Sequence, residues 1–213
     1  YMFDLNFLFI YLLRDIYAAM NLALVFYFFL AGFGMYLLVH TLLESKKAAF
    51  VSAIIYMFNG FMHMFVIGGH LNILAGYSLI PFIFLLVHKA LKSREWLFYS
   101  LLAGIFFALQ IFSGSMIFFF YTALLVFFYL AFNLISRNFT GIFVKSVFIG
   151  ITAVIAALSL ASIKLLPVLE FTKMSSRAVN VPYSEFLGHP ISLGDIARVV
   201  ITNIGYSELS AAV

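Results

Sequence analysis

The sequence predicts an all-α protein, a polytopic bundle of transmembrane helices, and three observations lead to this fold class. The 213 residues are 65% hydrophobic and only 9% charged, whereas a soluble domain carries roughly 25% charged residues. The apolar residues form long runs, and about 20 helical residues cross the roughly 30 Å of bilayer hydrocarbon. The connectors between runs alternate between basic and uncharged. A chain with so little polar surface has the bilayer as its solvent.

Six apolar runs are long enough, or nearly so, to cross the membrane: 16–43, 48–67, 71–87, 96–112, 116–135 and 142–169. The run 5–13 is too short and is predicted to be interfacial or re-entrant. Residues 1–171 therefore form the predicted bundle. Residues 172–213 are more polar and are predicted to form an extracytoplasmic loop with amphipathic helices. Because the chain opens on Tyr1 without a signal peptide, we expect an internal piece of a longer protein.

Charge in the connectors predicts the orientation of the bundle. The connectors 44–47, 88–95 and 136–145 hold seven of the 12 Lys and Arg residues, whereas 68–72 and 112–115 carry no Lys, Arg, Asp or Glu. The positive-inside rule places the basic connectors in the cytoplasm. Residues 68–72, 112–115 and 164–213 are then extracytoplasmic. The net charge of +4 is thus a topology signal, and no nucleic-acid partner is predicted.

A polar stripe interrupts the second run. Ser52, Tyr56, Asn59 and His63 have the spacing of one face of a continuous helix. Polar groups of a membrane helix avoid lipid, so the stripe must face protein or water. Two interpretations remain open: hydrogen bonds between helices, or a hydrophilic cleft that opens outward and has Asn59 and His63 as its floor.

His70 lies in the predicted outer turn "GGHLN" (68–72). The turn is explained either by its backbone chemistry, since glycine permits a tight reversal, or by contact of the imidazole with an anionic headgroup or diphosphate. A metal site at His63 and His70 is not predicted, because they lie two turns apart and no carboxylate is beside them. No cofactor is evident; a divalent cation is left open, without support from any residue of this segment. The absence of cysteine excludes disulfides and thiolate chemistry.

The exit from the last run, "SIKLLPVLEFTKMSSRAVNVPYSEF", holds the ionisable groups of the outer side. Lys164 either extends its ammonium to the interface or binds a phosphate. Arg177 is either a solvated loop charge or a bidentate phosphate ligand. Glu170 is a candidate partner for these cations.

The order of these outer motifs resembles the YfhO-type family of bacterial and archaeal membrane proteins. The similarity runs through "AGFGMYLLVHTLLESKKAAFVSAIIYMFNGFMHMFVIGGHLNILAGYSLIPFIFLLVHKAL". It continues at "ALQIFSGSMIFFFYTAL", where the family commonly has a Gly-His turn and this chain has Gly114 followed by Ser115. It resumes at "KLLPVLEFTKMSSRAVNVPYSEF", which is similar to the family's exit motif.

This resemblance implies a glycosyltransferase of the GT-C type in the cell membrane. Its partners would be membrane lipids, a polyprenyl-phosphate sugar donor, and a glycan, lipid or protein acceptor. His70, Arg177 and Lys164 would stabilise the leaving phosphate. The acidic catalytic residue of the family has no counterpart in this chain, so its catalytic residues are unassigned. The alternatives are a lipid or solute transporter or flippase, with the polar stripe along its path, and a non-catalytic membrane scaffold.

Overall fold

The computed structural model describes residues 5–136 and 139–174, and in this part helices joined by short turns are the only regular secondary structure, as predicted. Side chains are described for residues 8–133 and 143–172. The helices of the described part are α1 (Leu5–Leu13), α2 (Ile16–Leu43), α3 (Lys46–Met57), α4 (Gly60–Ile67), α5 (Leu71–Lys92), α6 (Trp96–Phe112), α7 (Met116–Ser136) and α8 (Phe139–Met174).

Five helical stretches of the described chain are long and apolar enough to cross a membrane. They are Ile16–Leu43, Lys46–Ile67, Leu71–Lys92, Met116–Asn133 and Phe143–Thr172. The remaining predicted span, 96–112, corresponds to α6, which is apolar but has 17 residues. Its length of roughly 25 Å is a little less than the hydrocarbon thickness. The prediction of a polytopic helix bundle is confirmed, and the span count depends on α6.

Short capped connectors set the ends of the first helices. The carboxylate of Asp15 accepts a hydrogen bond from Tyr17 N at 2.9 Å and begins α2. Glu44 ends α2 with a left-handed backbone (φ 53°), and the hydroxyl of Ser45 then accepts from Ala48 N to begin α3. Because the residue that ends α2 and the residue that begins α3 are neighbours in the chain, the chain reverses direction without a longer loop. As a result α2 and α3 pack extensively along each other.

The centre of the bundle is α5, which packs against α2 on one side and α6 on the other. Small residues bring α8 close to α6: Ala153, Ala157 and Ala161 are buried, as the small-residue stripe predicts. A Cβ atom added at Gly104 of α6 would lie 2.7 Å from the Ala153 carbonyl oxygen. Many large apolar side chains remain exposed around the bundle, as expected for a surface solvated by lipid.

The predicted second span is not one continuous helix, and in this respect the prediction is wrong. α3 ends at Met57 and α4 begins at Gly60, because Asn59 caps α4 by accepting a hydrogen bond from Met62 N at 2.9 Å. Asparagine favours a cap over a helix interior, since its side chain competes for backbone groups. The four residues of the polar stripe therefore do not share one helix.

The chain divides into two compact units, residues 1–166 and 167–213. The first contains α1 to α7 and most of α8. In the second, the structure describes the end of α8, up to Met174. The predicted boundary at 171/172 lies within this second unit. The predicted amphipathic helices lie outside the described residues.

Candidate functional site

Two glycine turns meet at one end of the bundle, as their predicted common side requires. The turns connect α4 to α5 and α6 to α7, and each contains a glycine with positive φ: Gly69 at 69° and Gly114 at 83°. Residues with a Cβ atom rarely adopt this conformation. The hydroxyl of Ser115 donates a hydrogen bond of 2.6 Å to the Asn72 carbonyl oxygen, which joins the two turns.

Lys164 of α8 lies at this junction. Its Nζ donates hydrogen bonds to the carbonyl oxygens of Ile111 (2.9 Å) and Phe112 (2.7 Å), and its side chain is half-buried. These carbonyls belong to the last turn of α6, where intrahelical donors are lacking and a cation is favoured by the helix dipole. Lys164 thus stabilises the C-terminal end of α6. Its Nζ also lies 3.9 Å from the position that a Cβ atom would occupy at Gly114, which places a positive charge beside the second turn.

His70 lies at the rim of the same end. It occupies the N-cap position of α5, makes no side-chain cap hydrogen bond, and is exposed. Its ring lies edge-on to Phe65, with the ring centroids 6.1 Å apart. An exposed imidazole beside a glycine turn can donate a hydrogen bond to an anion that approaches from outside the bundle.

The break between α3 and α4 is held by hydrogen bonds to α5. Asn59 Nδ2 donates to the hydroxyl of Tyr77 at 2.8 Å, and the hydroxyl of Tyr56 donates to the Tyr77 carbonyl oxygen at 3.0 Å. The rings of Tyr56 and Tyr77 stack with centroids 4.4 Å apart. Interhelical hydrogen bonding, the first interpretation of the stripe, is therefore confirmed for Tyr56 and Asn59. His63 is exposed on α4, and the second interpretation, a cleft with Asn59 and His63 as its floor, stays a prediction.

The remaining predicted site residues lie towards the end of the chain. Glu170 is exposed near the end of α8, in the second compact unit. Arg177 lies outside the described residues. Within the described ranges, no three His, Asp or Glu side chains converge on a point that would hold a metal ion.

Two polar residues that support this end of the bundle were not predicted as site residues. Gln110 is fully buried, and its Nε2 donates to the Gly76 carbonyl oxygen (2.8 Å) and to Thr122 Oγ1 (3.0 Å). Tyr77 receives the hydrogen bonds of the α3–α4 break. A glutamine inside an apolar run is the available signal, since membrane helices bury amides where they have partners. Tyrosine gives no comparable signal in a chain so rich in aromatic residues.

Comparison with known proteins gives one family. A family model described as the 6-pyruvoyl-tetrahydropterin synthase related domain, a membrane protein, matches residues 5–207. No curated protein and no solved structure shows a significant match. The matched range contains all the helices of the described part, both glycine turns and Lys164. The description agrees with the predicted membrane location.

Proposed function

We propose that this chain, which belongs to the family of membrane proteins described as the 6-pyruvoyl-tetrahydropterin synthase related domain, is a segment of a membrane-embedded glycosyltransferase. The enzyme takes a sugar from a polyprenyl phosphate at the end of the bundle where the glycine turns meet. The acceptor is a cell-envelope glycan, a lipid or a protein. The family description specifies a membrane protein and no reaction, so the reaction class rests on the resemblance to the YfhO-type family and on the residues below.

One observation carries the proposal: both glycine turns and Lys164 come together at a single end of the bundle. The Ser115–Asn72 hydrogen bond joins the turns, and Lys164 bonds to the end of α6 beside them. His70 is exposed on the first of these turns. A lipid-linked phosphate at the membrane surface would meet this end of the bundle without leaving the bilayer.

The chemistry of the transfer assigns these groups a role. Breaking the bond between the sugar and the lipid phosphate leaves negative charge on the phosphate, and donors placed around it lower the barrier. His70 and Arg177 supply such donors in this proposal, and Lys164 adds positive charge while it stays bonded to α6. Glu170 is a candidate counter-ion for Arg177. A base for the acceptor hydroxyl is not assigned within this chain.

The test measures sugar transfer by the full-length protein in membranes supplied with a polyprenyl-phosphate sugar. Removing one donor to a developing oxyanion typically costs about 10²-fold in kcat, so we expect at least this loss for His70→Ala combined with Arg177→Ala. The control is His40→Ala, which removes a half-buried histidine from the last turn of α2 and should retain transfer. Full transfer in the double variant would overturn the roles of His70 and Arg177.

A lipid or solute transporter is the second candidate, and the broken helix α3–α4 favours it. Transporters bind substrates at discontinuous helices near the midplane. Here two backbone groups of the break, Met62 N and the Tyr56 carbonyl oxygen, are already bonded to the Asn59 side chain, which leaves fewer groups for a substrate. Proteoliposomes distinguish the candidates: a transporter moves labelled lipid or solute across the bilayer without transferring any sugar.

A further inference from the structure

A polar cleft lies at the end of the bundle opposite to the glycine turns. It has a volume of about 420 Å³, and its walls include Thr41, Glu44, His88, Lys89, Lys92 and Tyr99. These residues come from the end of α2, the last turns of α5 and the start of α6. Sites for small ligands have volumes of roughly 300–1,000 Å³, so the cleft is large enough for a phosphate and the groups attached to it.

The charges of the cleft suit a singly charged anion. Lys89 and Lys92 contribute two positive charges and Glu44 one negative charge, and the balance of one positive charge matches a phosphodiester. Lys89 is half-buried and lies over the ring of Tyr99, with Nζ 6.0 Å from the ring centroid. This cation–π contact holds the ammonium at the wall of the cleft.

His88 adds an unpaired polar atom. The side chain is 5% exposed, its Nδ1 lies 2.5 Å from the hydroxyl of Tyr129, and its buried Nε2 has no hydrogen-bond partner among the described residues. When the tyrosine hydroxyl donates to Nδ1, the proton of the neutral ring is on Nε2. A buried donor without a partner is costly. A phosphate oxygen in the cleft, with a small shift of the ring, would satisfy it.

The position of the cleft at the ends of the helices indicates which kind of molecule supplies its ligand. The cleft lies where α2 ends at Leu43, α5 ends at Lys92 and α6 begins at Trp96. The ends of apolar helices lie at the level of the lipid headgroups, and tryptophan concentrates there. Basic pockets between membrane helices bind anionic headgroups. We propose that this cleft binds the phosphodiester headgroup of an anionic phospholipid, independently of the function proposed for the opposite end.

The lone tryptophan of the chain provides the measurement, since Trp96 lies between Ser93 and Tyr99, two residues of the cleft wall. The purified chain is reconstituted in phosphatidylcholine vesicles that contain brominated phosphatidylglycerol or, in parallel, brominated phosphatidylcholine. Bromine quenches the fluorescence of Trp96 when the lipid binds beside it. We expect stronger quenching by phosphatidylglycerol at equal mole fraction, and the ratio of the two gives the relative association constant.

Paired lysine variants separate the cleft from the general surface charge. For Lys89→Gln with Lys92→Gln we expect the relative association constant to fall about fivefold for each lysine removed. The matched control removes the same charge outside the cleft, at the exposed Lys46 and Lys47, and should keep the preference. An equal loss in both double variants would overturn the proposal.

Two further arms fix the source of the phosphate and guard against misfolding. Inorganic phosphate at millimolar concentration should leave the lipid preference intact. If phosphate abolished this preference, the cleft would prefer a soluble anion, and the lipid assignment would be overturned. Thr41→Phe fills the cleft while every charge is kept, and circular dichroism checks its helix content. Loss of the preference in this variant supports the cleft as the binding site, and an unchanged preference refutes it.

Discussion

Two lysines of α8 make the same interaction at opposite ends of the bundle. Lys145 Nζ donates to the carbonyl oxygens of Leu91 and Ser93, both at 2.8 Å, and so stabilises the end of α5. Lys164 does the same for Ile111 at the end of α6. The lysines are nineteen positions apart along the chain, which is roughly 28 Å in a helix.

The surroundings of the two lysines differ although their interactions are the same, so the lysine interaction by itself does not distinguish a binding site from a structural contact. Lys145 lies among the basic connectors, whereas Lys164 lies between two turns without Lys, Arg, Asp or Glu. Since both bind helix carbonyls, their first role is structural. A functional assignment at the Lys164 end must therefore come from the exposed His70 and the joined turns, because a lysine at the end of a span does not identify a binding site.

The largest expected effect concerns sidedness, on which the comparison of the two ends depends. The chain has no cysteine, so single cysteines can be placed without background at His70, Lys47 and Arg177. Because the basic connectors are predicted to be cytoplasmic, a membrane-impermeant maleimide should label positions 70 and 177 in intact cells and position 47 only after permeabilisation. Labelling of positions 70 and 177 from opposite sides would remove the shared site proposed for them.

The second effect is on stability and tests whether the two lysines are equivalent. Lys145→Met and Lys164→Met each remove a charged donor from two carbonyls, so we expect each to lower the free energy of unfolding by about 3 kcal/mol. Unfolding in detergent micelles, followed by circular dichroism, measures this. Lys47→Met, at an exposed position, is the control and should change stability little. If only Lys145→Met lowered the free energy of unfolding, the two lysines would not be equivalent, and Lys164 would have no structural role.

The smallest effect tests the joint between the glycine turns. A Cβ atom added at Gly76 would lie 2.4 Å from Ser115 Cβ and would push the second turn away. Gly76→Ala should therefore cost about 1–2 kcal/mol of stability. Gly60 has open space around its Cβ position, and Gly60→Ala should stay within about 0.5 kcal/mol of the parent. The same unfolding measurement applies, and similar values for the two variants would contradict the close contact of the turns.

Hydropathy predicted most of the helices, because a helix that is solvated by lipid needs apolar residues along its whole length in the bilayer. The ends of α2 and α6 were predicted at the observed residues, since charged residues or a glycine follow them. α5 continues to Lys92 and α8 begins at Phe139, beyond the apolar runs, because hydropathy marks the lipid-solvated part and a helix extends past it. The break at Asn59 was missed because apolar residues flank it, and only a cap distinguishes it from a continuous helix.

The candidate site was only partly predictable for a related reason. The connectors alone predicted that the two glycine turns share one side, whereas their direct contact through Ser115 and Asn72 was not predicted. The bonds of Lys164 to α6 were not predicted either, because they depend on the register between α8 and a helix more than 50 residues earlier, as its separations of 53 and 52 residues from Ile111 and Phe112 show. The partners of Asn59 on α5 depend in the same way on tertiary packing.

The two lysine anchors of α8 have a mechanical consequence. Sliding α8 along its axis by even one residue, about 1.5 Å, would stretch the ammonium bonds at both ends at once. The position of α8 along its axis is therefore fixed relative to α5 and α6, and the bilayer around it must adjust its thickness to the protein. A membrane whose hydrocarbon layer is much thicker than the apolar part of α8 would deform at the edge of the protein.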